Sequence, residues 1–167
     1  MRKLAFSTCL GLFLIAISAS QIVLADLTPP SGQRNVYKIY VNVRFKYQIS
    51  YPSNLVIPQG ESTNSDGQIF RARDSSAEMR AYGRYNVNNE TLRGVFADVL
   101  REWGDGVTYK VIRPDWFVVT ALVNGKIHYQ KTMLRRDVFK TFQIEYDASR
   151  RATYDAVTAR IAKSFIG

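Results

Sequence analysis

Arginine is the residue type whose spacing in this chain best suits recognition chemistry. Arg71 and Arg73 alternate along one predicted strand, and Arg80 and Arg84 alternate along the next, with Tyr82 between them. Strand side chains point to alternate faces, so each pair shares a face, and in a hairpin the two faces can coincide. Four guanidiniums around one aromatic ring would form a patch for carboxylate or phosphate groups, because arginine offers a planar fork of donors. Asp74 and Glu78 lie in the same stretch and would neutralise part of it, so a solvated strand face is the plainer account of the same residues. Arg135-Arg136 and Arg150-Arg151 are shorter pairs, read as turn residues.

The remaining chemistry-bearing residues fall short of a catalytic or metal-binding set. His128 is the sole histidine, and a Ser/His/Asp triad would have to use it, yet no serine sits in a Gly-x-Ser-x-Gly elbow. Alternation places His128 with Lys126, Gln130 and Thr132, opposite Ile127 and Tyr129, which reads as a surface position. One histidine cannot build a multi-histidine zinc site. The stretch from Ser62 places Asn64, Asp66 and Gly67 at the third, fifth and sixth positions of a calcium loop, but Ser62 and Arg73 occupy the first and twelfth, where Asp and a bidentate Glu are needed. Asn89-Glu90-Thr91 has the form of a glycosylation sequon, but helix capping explains the same residues without a glycosylating host. Ten tyrosines could stack sugars or bases, but most fall at alternating strand positions, where tyrosine packs in any sheet protein. No cofactor is implied by any of these residues.

The elements that must hold these residues follow from periodicity. A strand is predicted around Tyr37 to Val41 and another over Arg44 to Tyr51, where Phe45, Tyr47, Ile49 and Tyr51 share one face and Pro52 ends the run. Gln59 to Gly67 reads as a polar loop. Gln68 to Arg73 and Glu78 to Arg84 form the arginine hairpin. From Thr91 the period becomes helical: Leu92, Val95, Phe96, Val99, Leu100 and Trp103 fall on one stripe, Asn88 or Asn89 can cap it and Gly104 ends it. Strands follow at Val107 to Ile112, Trp116 to Val123, Lys126 to Leu134 across Asn124-Gly125, and Val138 to Tyr146. The run WFVVTALV is apolar on both parities, which predicts a central strand covered on both sides. A closing helix spans about Ser149 to Phe165, with Tyr154, Val157, Ile161 and Phe165 on one face. Hairpins in place of helical crossovers predict an α+β fold: an antiparallel β-sheet of about six to seven strands with two packing helices.

The start of the chain predicts export. Arg2 and Lys3 precede an apolar run from Leu10 to Ile17 and a small-residue stretch ending Val23-Leu24-Ala25, the layout of a cleavable signal peptide. Cleavage after Ala25 would leave Asp26 at the new terminus, with Ser18-Ala19-Ser20 as a second site; the run is too short for a membrane span. Cys9, the one cysteine, precedes the apolar run and so is not placed for lipidation. Its removal leaves no thiol for a disulfide, a metal or a nucleophile. Of 23 basic residues, all but Arg2 and Lys3 remain, 21 against 14 acidic ones. That balance suits an anionic partner, or equally a basic surface that only keeps a small secreted domain soluble, and export argues against nucleic acid. Residues 26 to 35, with two prolines and a glycine, read as a flexible lead-in to a single domain from Val36 to Gly167.

The strings Asn42-Val43-Arg44-Phe45-Lys46-Tyr47-Gln48-Ile49-Ser50-Tyr51-Pro52, Asn64-Ser65-Asp66-Gly67-Gln68-Ile69-Phe70, Tyr154-Asp155-Ala156-Val157 and Ile161-Ala162-Lys163-Ser164-Phe165 resemble a group of uncharacterised secreted bacterial proteins. The opening strand and closing helix are also similar to the PsbP-type α/β/α sandwich, the fold of the extrinsic photosystem II protein and its bacterial relatives. Lys46 and Ser65 depart from the pattern, which has glycine at both places. The resemblance implies a fold whose better-known members are accessory or binding proteins, and it transfers no functional residue. The expectation is a periplasmic or secreted, non-enzymatic module that binds a protein or an anionic envelope component through a sheet face or the arginine hairpin. The alternatives are a small secreted hydrolase, which would need His128 beside a carboxylate in a concave pocket, and an enzyme inhibitor presenting the Gln59 to Gly67 loop.

Overall fold

Among the described residues, alternating β-branched and aromatic residues account for most of the nine strands, and the two stretches with helical spacing coil. The computed structural model describes residues Arg34–Gly167; the predicted signal segment and all but the last two residues of the lead-in lie outside them. Strands β1 (Tyr37–Asn42) and β2 (Tyr47–Pro52) form a separate antiparallel hairpin. The others are β3 (Val56–Glu61), β4 (Gly67–Ala72), β5 (Ala77–Tyr85), β6 (Val107–Ile112), β7 (Trp116–Val123), β8 (Lys126–Arg135) and β9 (Val138–Asp147). They make one antiparallel sheet in the order β3-β4-β5-β9-β8-β7-β6. Helices α1 (Leu92–Trp103) and α2 (Arg151–Ser164) complete the fold, so the α+β class with a seven-stranded sheet and two packing helices is observed.

The parity of β9 divides the molecule. Phe142, Ile144 and Tyr146 point into a core shared with Tyr40, Tyr47, Ile49 and Tyr51 of the small hairpin and with Tyr154, Val157, Ile161 and Phe165, the predicted α2 face. Phe139 points the other way and joins Phe117 and Val119 beneath α1, which contributes the whole predicted stripe from Leu92 to Trp103. The Lys131 ammonium donates to the carbonyls of Ala162 (2.7 Å) and Phe165 (3.3 Å), where the helix dipole of α2 favours a cation.

Four local expectations change. The strand predicted from Arg44 starts at Tyr47, because residues 43 to 46 turn and Lys46 takes φ +53°. Ser65 takes φ +54°, so both positions at which the resemblance implied glycine are left-handed backbone. The predicted loop from Gln59 is a strand up to Glu61, bulged between Pro58 and Glu61 on the sheet edge, where proline leaves no ladder bond unmade. Thr91 caps α1, its hydroxyl accepting from Gly94 N at 3.0 Å, in place of Asn88 or Asn89. WFVVTALV forms β7 next to the sheet edge, while β9 is central; residues apolar on both parities report cover on both faces, which α1 and the opposite core provide, and carry no information on strand order.

Candidate functional site

Register on β4 and β5 sets Arg71 opposite Glu78, Ile69 opposite Arg80, and Gly67 opposite Tyr82. Arg71, Arg80, Tyr82 and Arg84 therefore share the α1-side face of the sheet, while Arg73 falls in the exposed turn beyond β4. Glu78 sits between two of the guanidiniums, accepting from Arg71 at 2.8 Å and from Arg80 at 2.6 Å. Partial burial works against the Glu78 charge, but the two arginine bonds outweigh it and hold the carboxyl below its ordinary pKa. Arg84 pairs with Glu90 and lies 4.2 Å over the Phe139 ring. Asp74 is engaged elsewhere, accepting from Arg150 at 2.7 Å. The arrangement is a charge-compensated arginine and glutamate array; Arg73 lies outside it and makes no ion pair among the described residues.

The same face continues inward as a polar ladder that the sequence signalled only when β8 and β9 are taken as neighbours. Gln143 donates to Gln130 (2.8 Å), Gln130 donates to Thr132 (2.9 Å), and Thr132 and Thr141 are 3.1 Å apart. Tyr82 closes the ladder against Thr141, and burial raises its phenol pKa. Helix α1 covers the apolar end of this face and stops short of the polar end. Two depressions remain there, of about 310 Å³ and 410 Å³, and Arg80 and Gln143 line both.

His128 lies in the smaller depression and is not the surface residue that alternation suggested. Its side chain is 23% exposed, its ring is 5.8 Å from that of Trp103 on α1, and Nδ1 is 3.7 Å from the Glu145 carboxylate. Glu145 also receives Lys126 at 3.1 Å. Glu78 and Glu102 complete the acidic lining, and no serine, threonine or cysteine lines this depression.

In the turn once compared with a calcium loop, both Asp66 carboxylate oxygens accept hydrogen bonds, one from Ser62 and the other from Asn64 at 2.8 Å. The Ser62 hydroxyl in turn accepts from the amides of Asp66 and Gly67. The oxygens that would face a cation hold the turn together instead, and the exposed segment available to a protruding-loop inhibitor shrinks to this stapled turn. Thr91, the last residue of the sequon, is spent on the α1 cap, and Asn89 takes φ +51°.

No family model matches the chain, and no curated protein matches it. Among solved structures it is similar to the cyanobacterial PsbP (CyanoP) from Synechocystis sp. PCC 6803, with a TM-score of 0.61 and 16% identity over 81% of this chain and 95% of that one. At that identity the likeness is one of fold, and the α/β/α sandwich described above is a PsbP-like fold.

Proposed function

We propose that the chain is an exported, non-enzymatic accessory module of the bacterial periplasm or cell envelope, binding a protein or an anionic envelope component through the polar end of its α1-side sheet face. The observation that carries this reading is the Arg71, Glu78 and Arg80 array on a stretch of sheet that α1 leaves uncovered. A sheet face dressed with arginine forks, amide side chains and a tyrosine can read the polar surface of a partner. The fold supports the reading, since the similar structure is that of a PsbP protein. The amino-terminal pattern supports export.

The test is retention of residues 26–167 on a native envelope fraction. Because Glu78 needs its two partners, Arg71→Gln with Arg80→Gln is the cleaner variant, and Arg71→Glu with Arg80→Glu the harsher one. Lost retention with an unchanged thermal midpoint supports the reading, and unchanged retention removes the site.

One observation favours a second reading. His128 beside Glu145 in a depression meets the geometric condition for a hydrolase, although the lining offers no serine, threonine or cysteine as nucleophile. His128→Asn abolishing a hydrolytic activity of the purified protein would establish that reading.

A further inference from the structure

A second concave site lies at one end of the molecule and uses none of the hairpin arginines. The β1–β2 turn, the β8–β9 turn and the start of β9 enclose about 550 Å³, lined by Arg44, Lys46, Arg135, Arg136 and Lys140. Phe45 and Tyr85 form an apolar wall with rings 5.0 Å apart, and Arg44 lies 5.0 Å over the first of them. Five cations thus converge from three separate elements.

Their neutralisation is incomplete. Arg135 is paired with Asp115 at 2.7 Å, and Asp137 adjoins Arg136 in the turn. Among the described residues, Arg44, Lys46, Arg136 and Lys140 form no ion pair. Arg44 donates instead to the Asn64 carbonyl, and Arg135 donates to a main-chain oxygen of Gly167, which also lines the pocket. Lys140 is the informative member. It is 7% exposed on the central strand, and its ammonium donates to the Lys46 carbonyl at 3.2 Å. Burial first, then the charges of Arg135, Arg136 and Lys46, hold its pKa below the ordinary lysine value. A buried cation set among like charges is costly, and a bound anion relieves that cost.

We propose that this pocket binds the phosphoryl group of a phosphomonoester, with Lys140, Lys46 and Arg136 around the phosphate and the ester substituent against Phe45 and Tyr85. A tetrahedral dianion accepts donors from several directions at once, which converging lysines and arginines supply and a single arginine fork does not. The volume leaves room for a substituent beside the phosphate, and the aromatic wall gives it an apolar surface.

The experiment is calorimetric titration of residues 26–167 with phenyl phosphate and with inorganic phosphate, alongside flotation with phosphatidylcholine vesicles containing phosphatidic acid. Lys140→Met and, because a buried lysine can affect folding, the exposed Arg136→Gln are each expected to weaken binding about tenfold, the loss of roughly one charge-assisted hydrogen bond. Arg71→Gln with Arg80→Gln leaves it unchanged, so the pocket and the hairpin face fail or stand separately. Variant-sensitive binding of phenyl phosphate identifies a soluble phosphomonoester, and variant-sensitive binding confined to vesicles identifies a lipid headgroup. No binding to phenyl phosphate or to the vesicles, binding of inorganic phosphate alone, or binding that both pocket variants retain in full, overturns the proposal.

Discussion

Asn42 has no exposed surface, and its side chain joins the two turns at the hairpin end. Its amide oxygen accepts from Phe45 N at 2.8 Å, and its amide nitrogen donates to the Tyr40 hydroxyl at 3.1 Å and the Ser65 carbonyl at 3.0 Å. Asn42→Ala leaves those buried groups unpaired and is expected to cost about 1–3 kcal/mol, read from the urea midpoint. Ser65 tests the opposite sign. It holds left-handed backbone at φ +54°, so Ser65→Gly is expected to gain roughly 0.5–1 kcal/mol in the same assay. At this scale the sequence was only partly legible. Parity placed Arg71, Arg80, Tyr82 and Arg84 on one face, but Glu78 as the shared partner, and Asp74 turned away to Arg150, depend on register and on a contact 76 residues away in sequence. The Lys140 pocket was invisible for the same reason, since its cations come from segments about ninety residues apart and only the fold assembles them.

Periodicity recovered most elements because their faces are one-sided: the α1 stripe, the α2 face and β6 to β9 follow directly from apolar spacing. It failed at β3, where Pro58 and Gly60 read as breakers although an edge strand with a bulge accepts both. Docking of the small hairpin is an element-level property that spacing cannot show. Phe45 lies directly over Gly83 of β5, where an added Cβ would fall 2.4 Å from the Phe45 ring. Gly83→Ala must therefore displace Phe45, and a loss of about 1–3 kcal/mol is expected, with reduced near-ultraviolet dichroism from the disturbed Phe45 and Tyr85 pair. Thr91→Ala removes the α1 cap and is expected to cost about 1 kcal/mol by chemical denaturation.

For the whole molecule, the buried phenols set the alkaline limit of stability. Burial, then hydrogen bonding to Asn42 and Glu61 with opposing effects, leaves Tyr40 at about 12, and burial raises Tyr129 to about 12. Burial also pushes Tyr47 and Tyr146 up. Unfolded tyrosine ionises near pH ~10, so above that value the unfolded chain releases protons that the folded one keeps, and stability falls as pH rises toward 12. Lys131 and Lys140 have lowered values, chiefly from burial, and act oppositely below about pH 10.5, the unfolded lysine value. The denaturant midpoint is therefore expected to fall between about pH 10.5 and 12, less steeply in Tyr40→Phe; a flat profile there would contradict the burial assigned to these phenols.

Salt dependence of envelope binding by residues 26–167 is the sharpest test of a partner surface on the uncovered polar face. The isotherm is expected to saturate, with an apparent affinity that falls steadily as sodium chloride rises from low to physiological ionic strength and beyond, because exposed arginines supply the attraction. Binding that never saturates, or that is indifferent to salt, would contradict it.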